Sequence, residues 1–106
     1  MVEELRPAEL VARMREGEDW QLLDVREPWE LGIVSLPEAV AIPMNQVPNR
    51  ERELDRERPL AVLCHSGMRS YRVAAWLQAH GFRQVVNVAG GIDAWATEVD
   101  LSLSRY

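Results

Sequence analysis

Short apolar runs alternate along this chain with stretches in which apolar residues follow helical spacing. Three of the runs, Trp20 to Val25, Pro59 to Leu63 and Val85 to Val88, are bounded by turn-forming residues, which is typical of buried strands. A fourth short strand is predicted at Val40 to Pro43, where the proline ends it. Strands that alternate with helices favour an α/β fold with a parallel sheet covered by helices on both faces.

The stretches between these runs predict the helices. The first opens near Pro7 and stops at Gly17, a short one covers 27–31, and a charged one covers 45–55, limited by Pro48. Another covers Tyr71 to His80 and is capped by Gly81, and a last short helix follows Gly90-Gly91 and carries Trp95. The remaining segment, Thr97 to Tyr106, is predicted to be a loose tail on which Leu101 and Leu103 can still dock.

Length, charge and cysteine count narrow the class of protein. The 106 residues suffice for one domain, and no apolar run approaches the length of a membrane span. A net charge of −5 argues against nonspecific nucleic-acid binding. The lone cysteine excludes an internal disulfide and fits a reducing compartment, so we expect a cytoplasmic protein. One cysteine and two histidines are too few for a structural zinc site, and neither a metal nor a cofactor is expected.

The candidate chemistry lies between the strand predicted at Pro59 to Leu63 and the helix that follows it. Cys64 stands on this turn and faces the N-terminal end of the helix, where unpaired backbone N–H groups and the macrodipole favour an anion. The same field should lower the pKa of the thiol. Gly67 lets the turn adopt a positive φ, as a ring of inward-pointing amides usually requires. The polar, turn-forming residues after Cys64 predict a thiol that is at least partly accessible.

Three motifs identify a resemblance to a family. Residues 64–70 resemble the active-site loop of single-domain rhodanese-type sulfurtransferases, and residues 23–27 resemble the family's Asp-Val-Arg-Glu segment. Residues 89–95 resemble its closing Gly-Gly-x-x-x-Trp turn. The resemblance implies one rhodanese-like domain over 1–106, with a core at about 5–97, a tail at 98–106 and a mostly parallel sheet of about five strands. Residues 34–39 depart from the family's Gly-His-Ile-Pro-Gly-Ala and keep only Pro37 and Ala39.

The activity that the resemblance implies is sulfur transfer by double displacement. The Cys64 thiolate attacks the outer sulfur of a small anionic donor such as thiosulfate and becomes a persulfide, from which a thiol, a protein acceptor or cyanide removes the sulfur. A thiolate needs no general base beside it. The remaining residues of the predicted active-site loop are His65, Ser66, Gly67, Met68, Arg69 and Ser70.

Three charged residues outside this loop are predicted to support the site. Arg69 closes the loop with a planar fork that suits an oxyanion, and Arg72 adds to the same field if both face one side of the helix. Asp24 and Arg26 follow the first of the predicted strands. They are interpreted mainly as an ion pair that fixes the following loop, with direct contact to substrate as the alternative.

Other functions stay open at this stage. A persulfide carrier that is charged by a partner protein would use the same cysteine and turn over thiosulfate poorly. A phosphatase or arsenate reductase would also use a cysteine, an amide cradle and an arginine. Tyrosine phosphatases resemble Cys-x5-Arg, whereas four residues separate Cys64 from Arg69, which predicts a tighter ring. An inert binding module and a buried structural cysteine complete the alternatives.

Overall fold

The computed structural model describes residues 1–106 and contains one parallel sheet of five strands. The strands in chain order are β1 (Glu3–Leu5), β2 (Gln21–Asp24), β3 (Val40–Ala41), β4 (Leu60–Leu63) and β5 (Val85–Val88). Their order across the sheet is β1-β5-β4-β2-β3, and every neighbouring pair is parallel. The predicted α/β fold with a parallel sheet of about five strands is therefore confirmed. The sequence pattern did not reveal β1, because this edge strand begins with two exposed glutamates.

Four α-helices connect the strands, and a fifth follows the last strand. They are α1 (Pro7–Arg15), α2 (Pro28–Leu31), α3 (Val47–Arg50), α4 (Met68–Ala79) and α5 (Gly91–Glu98). The continuous helix expected over 45–55 is wrong. That segment is divided into a 3-10 turn at Met44–Gln46, the single turn of α3 and a second 3-10 turn at Glu51–Glu53. Pro48 lies in the first turn of α3 and has no N–H to continue a longer helix through this point. None of the helices is long and apolar enough to cross a membrane.

Each face of the sheet is covered by its own hydrophobic cluster. On one face α3 and α4 pack on the sheet, and on the other α1 and α5 do so. Successive residues of β4 point alternately to the two faces, so Val62 belongs to the first cluster and Leu63 to the second. All four residues of β4 are buried, as expected for a central strand of a parallel sheet.

The connections place two loops opposite each other. From β2 the chain continues to β3, toward one edge of the sheet. From β4 it continues to β5, toward the other edge. Because β2 and β4 are neighbours, the strand order reverses between them, and a crevice forms at their carboxyl ends. The loop after β4 carries Cys64, and the loop after β2 leads into α2. The candidate site is built from these two loops.

Candidate active site

The turn from β4 into α4 wraps closely around the sulfur of Cys64. Gly67 has a φ of 105°, the positive value expected from the sequence, and α4 begins at Met68. The helix thus starts three residues earlier than predicted. This early start brings the first free N–H groups of α4 beside Cys64, and the backbone N–H of Gly67 donates to Sγ over 3.1 Å.

The environment of this sulfur favours its anionic form. Burial raises the pKa of the Cys64 thiol, but a hydrogen bond from the Ser70 hydroxyl and others from the backbone N–H groups of Ser70, Gly67 and Ser66 lower it. The net pKa lies below its ordinary value, in the predicted direction. The site is therefore a ring of donors that favours the thiolate form of Cys64.

Asn87 holds this ring in place from β5. Its Nδ2 donates to the carbonyl of Gly67 over 3.0 Å and to Glu4 Oε1 over 2.9 Å, which turns its Oδ1 toward Ser70. The Ser70 hydroxyl lies 2.5 Å from that oxygen and 3.3 Å from Cys64 Sγ. A hydroxyl has one proton, and it can donate to only one of the two at a time. The charge of a thiolate favours donation to sulfur, because hydrogen bonds to ionised acceptors are the stronger ones.

The carbonyl side of the same turn is bound by α5. The first-turn N–H groups of Ile92 and Asp93 donate to the carbonyls of Cys64 and His65 over 2.8 and 3.1 Å. Gly91 makes this contact possible, since a Cβ there would overlap both carbonyl oxygens. The Gly90-Gly91 turn of the third motif therefore allows α5 to fix the backbone of Cys64 through its carbonyl.

Arg69 is held by a carboxylate from α2, the helix that follows the loop after β2. Its two terminal nitrogens each donate to an oxygen of Glu30 over 2.7 Å. Glu30 is buried, and the Arg69 guanidinium lowers the pKa of the Glu30 carboxyl to about 2 against the opposing effect of burial. The sequence predicted an arginine fork that suits a substrate oxyanion, whereas in the structure this fork joins the first turn of α4 to α2 across the crevice.

The C-terminal segment reaches the site through Tyr106. Its hydroxyl donates to Glu30 Oε1 over 2.7 Å and accepts from Arg26 Nη1 over 3.2 Å. Its ring stacks on the imidazole of His65, with centroids 4.0 Å apart and planes 11° from parallel. The prediction of a loose tail is therefore wrong, although Leu101 is 83% exposed. Leu103 packs against the core, as the sequence allowed.

Asp24 and Arg26 form a buried ion pair behind the crevice. Arg26 Nη2 donates to Asp24 Oδ2 over 2.8 Å, and both side chains are enclosed. Arg26 Nη2 also donates to the carbonyl of Val34 over 2.8 Å. The pair thus fixes the loop after β2 and the altered segment at 34–39. This arrangement corresponds to the structural interpretation of these two residues and not to substrate contact.

The other predicted residues lie at the rim. Ser66 is exposed, and Met68 is 77% exposed. Arg72 makes no side-chain hydrogen bond or ion pair and lines two adjoining clefts, one beside Ser66 and Met68 and one beside Trp76. Cys64 itself is only 1% exposed, so the prediction of an accessible thiol is wrong for this conformation. The amides of the turn close over the sulfur.

Sequence reasoning missed three residues of the site: Glu30, Asn87 and Tyr106. A signal existed for Asn87, because it is the one polar residue in an otherwise apolar strand and must find partners when buried. Glu30 lies three residues after Glu27 and completes a capping box, which gives it a local reason to be acidic. Nothing local pointed to Tyr106.

Comparison with known proteins gives consistent matches. The family described as the rhodanese-like domain matches residues 7–98. A sulfurtransferase of Allochromatium vinosum is 38% identical over 96 residues, which cover 91% of this chain and 90% of that protein. A thiosulfate sulfurtransferase of Pseudomonas syringae is 36% identical over 76 residues, 72% of each chain. A crystal structure of a rhodanese-like domain protein from Staphylococcus aureus superposes with a TM-score of 0.84 at 30% identity and covers 99% of both chains.

Proposed function

This chain belongs to the rhodanese-like family, whose sulfurtransferases it resembles over nearly its whole length, and from that premise we propose that it transfers sulfane sulfur through a persulfide on Cys64. The observation that carries the proposal is the pair of donors on Sγ, the Gly67 N–H and the Ser70 hydroxyl. They stabilise a thiolate, and the same ring of N–H groups suits a persulfide anion.

The reaction runs in two displacements. The Cys64 thiolate attacks the outer sulfur of thiosulfate, a Cys64 S–S bond forms, and the S–S bond of thiosulfate breaks. Sulfite leaves with the electron pair. An acceptor such as cyanide or a thiolate then attacks the terminal sulfur of the persulfide, and the Cys64 thiolate is the leaving group. No proton must be moved in either step, which fits a site without a general base beside the sulfur.

Burial of Cys64 places a condition on this chemistry. Because the thiol is enclosed, the outer sulfur of the donor must enter the turn between its exposed residues, Ser66 and Met68. The tight ring formed by Cys64 to Arg69 admits one sulfur atom more readily than a tetrahedral phosphate, so sulfur transfer is favoured over phosphatase or arsenate reductase activity.

One observation favours a second candidate, a persulfide carrier that a partner protein charges. Thiosulfate is a dianion, and the arginine that closes the loop is already paired with Glu30. Arg72 is then the cation near the loop that has no carboxylate partner. A carrier would receive its sulfur from a protein-bound persulfide and would need little positive charge at the mouth. Thiosulfate remains the first donor to test, because Arg72 and the ring of amides both attract an anion.

The test is the intact mass of the reduced protein after incubation with thiosulfate, followed by cyanide. We expect a gain of one sulfur atom, its removal by cyanide and release of thiocyanate. Cys64→Ser should show no gain, and thiocyanate formation by that variant would overturn the mechanism. No gain from thiosulfate but a gain from a cysteine desulfurase supplied with cysteine would identify the carrier. No gain from either would refute sulfur transfer, and hydrolysis of an aryl phosphate would then identify the phosphatase.

A further inference from the structure

Tyr106 contacts the reactive loop directly at one end and reaches its other end through Glu30. At one end its ring stacks on His65, the residue directly after the nucleophile. At the other end its hydroxyl donates to Glu30 Oε1, and Glu30 holds both terminal nitrogens of Arg69. Between these two points the loop is short, and its outward-facing residues, Ser66 and Met68, have no packing of their own. The backbone carbonyls of the loop are held from the inside by Asn87 and α5, whereas its outer side chains are held at the two ends, by Tyr106 on His65 and by Glu30 on Arg69.

The position of Tyr106 is itself fixed by two further residues. Arg26, which is fully buried, donates to its hydroxyl over 3.2 Å, and the ring of Trp29 meets it edge-on with centroids 6.0 Å apart. The phenol thus accepts from one charged partner and donates to another, so neither of its hydrogen-bonding functions is free. A side chain bound in this way transmits the rigidity of the buried Asp24–Arg26 pair to the loop.

We propose that Tyr106 is a positioning residue that keeps the loop closed around Cys64, so that the backbone N–H groups remain aimed at the sulfur. This inference rests on the proposed function and assigns to the C-terminal segment a part in it. When Tyr106 is absent, His65 loses its stacking partner and the Glu30–Arg69 pair loses one of its donors. The loop then opens more often, the N–H of Gly67 spends less time on Sγ, and the sulfur is less enclosed.

Two variants separate the two contacts. Tyr106→Phe keeps the ring on His65 and removes the hydroxyl, whereas Tyr106→Ala removes both. A third variant, Leu54→Ala, is the control for stability alone. Leu54 is buried on the α3–α4 face and precedes Asp55, whose carbonyl contacts Gln21 at the amino end of β2, whereas Cys64 follows the carboxyl end of β4. Leu101→Ala is the control for a neutral change in the same tail, since its side chain is exposed.

The measurement is the rate of Cys64 alkylation by iodoacetamide as a function of pH, together with the rate of persulfide formation from the donor that charges the wild type. We expect Tyr106→Ala to move the alkylation midpoint to higher pH, to raise the limiting rate at high pH and to slow persulfide formation roughly three- to tenfold. Tyr106→Phe should show only a small part of these three changes. Leu54→Ala should lower the unfolding temperature and leave the alkylation midpoint in place.

A double-mutant cycle with His65→Ala tests the stacking contact directly. Because Tyr106 acts in part through His65, the combined variant should lose less than the product of the two single losses. Equal alkylation midpoints in wild type and Tyr106→Ala, or the same midpoint shift in Leu54→Ala, would overturn the inference. Alkylation requires no sulfur donor, so a wild type that accepts sulfur from no donor refutes the proposed function while the alkylation profiles still judge the inference about Tyr106.

Discussion

The hydroxyl of Ser70 lies 3.3 Å from the sulfur of Cys64, on the first turn of the helix that the cysteine precedes. It is the one side-chain hydroxyl within reach of that sulfur, and the thiolate competes for its proton with Asn87 Oδ1. Replacement by alanine should raise the pKa of the Cys64 thiol, because the thiolate loses a hydrogen bond to its charge. Alkylation of Ser70→Ala by iodoacetamide near pH 7 should be roughly tenfold slower than that of the wild type.

Ser66→Ala is the matched control for this prediction. Its hydroxyl is exposed and makes no hydrogen bond, although its backbone N–H contributes to the same ring. The substitution should leave the alkylation rate near pH 7 unchanged. Equal slowing in both variants would show that the loop responds to any serine lost and not to the donor on sulfur.

The Glu30–Arg69 pair should make the acid stability of the protein depend on one carboxylate. The pKa of Glu30 is about 2 in the folded protein, below its ordinary value of 4.5. Since the folded protein binds this proton less readily than the unfolded chain, the contribution of Glu30 is complete above pH 4.5 and disappears as the pH falls toward 2. At neutral pH it corresponds to roughly 3 kcal/mol. The free energy of unfolding of Glu30→Gln, measured with urea, should be lower than that of the wild type at pH 7. It should also fall less steeply between pH 4.5 and pH 2.

Glu53→Gln provides the comparison. Glu53 pairs with Arg50 on the surface, and both side chains are partly exposed. Exposed pairs of this kind contribute little to stability, so its unfolding curve at pH 7 should match that of the wild type. A decline with pH in Glu30→Gln as steep as in the wild type would contradict the role given to Glu30.

The contact of α5 with the reactive turn predicts a strong effect of Gly91→Ala. Gly91 has a φ of 59°, and a Cβ would overlap the carbonyl oxygens of Cys64 and His65. Gly81→Ala is the control, because Gly81 has a φ of 93° with open space around the position of a Cβ. Backbone strain should reduce the stability of Gly81→Ala by about 1–2 kcal/mol. Overlap should reduce that of Gly91→Ala by roughly 1–3 kcal/mol more. Equal free energies of unfolding would contradict the steric argument.

Removal of Arg26 should destabilise the protein as a whole. Arg26→Met leaves Asp24 as a buried carboxylate without its counterion, which should lower the free energy of unfolding by about 3–5 kcal/mol. Arg83→Met breaks an exposed pair with Glu57 and should change it by less than about 1 kcal/mol. Urea titrations at pH 7 measure both. An Arg26 variant as stable as the Arg83 variant would show that the buried pair is dispensable.

The sequence predicted those features that local chemistry determines. Apolar runs located β2, β4 and β5 because strands covered on both faces are built mostly of apolar residues. The turn at Cys64 followed from glycine and the start of a helix. The early start of α4 and the division of 44–53 were missed, because helix ends and short turns depend on hydrogen bonds that residue type alone does not specify.

Contacts between distant residues were the least predictable part of the site. Arg69 was assigned to substrate because an arginine beside a reactive cysteine suits an anion, and only the fold shows that Glu30 occupies its fork. Tyr106 was assigned to a loose tail because no periodicity surrounds it. The enclosure of Cys64 was also missed. Polar residues in a turn predict exposure, but here the backbone of these residues closes over the thiol.

The span of chain that the site brings together also bears on how the molecule folds. Arg69 and Glu30 are separated by 39 residues, and Glu30 and Tyr106 by 76. Pairings over such distances form only after the intervening chain has closed into loops, and they are slow to form for that reason. We therefore expect the native reactivity of Cys64 to return late in refolding, after the secondary structure, so that a thiol probe would time the completion of the tertiary structure.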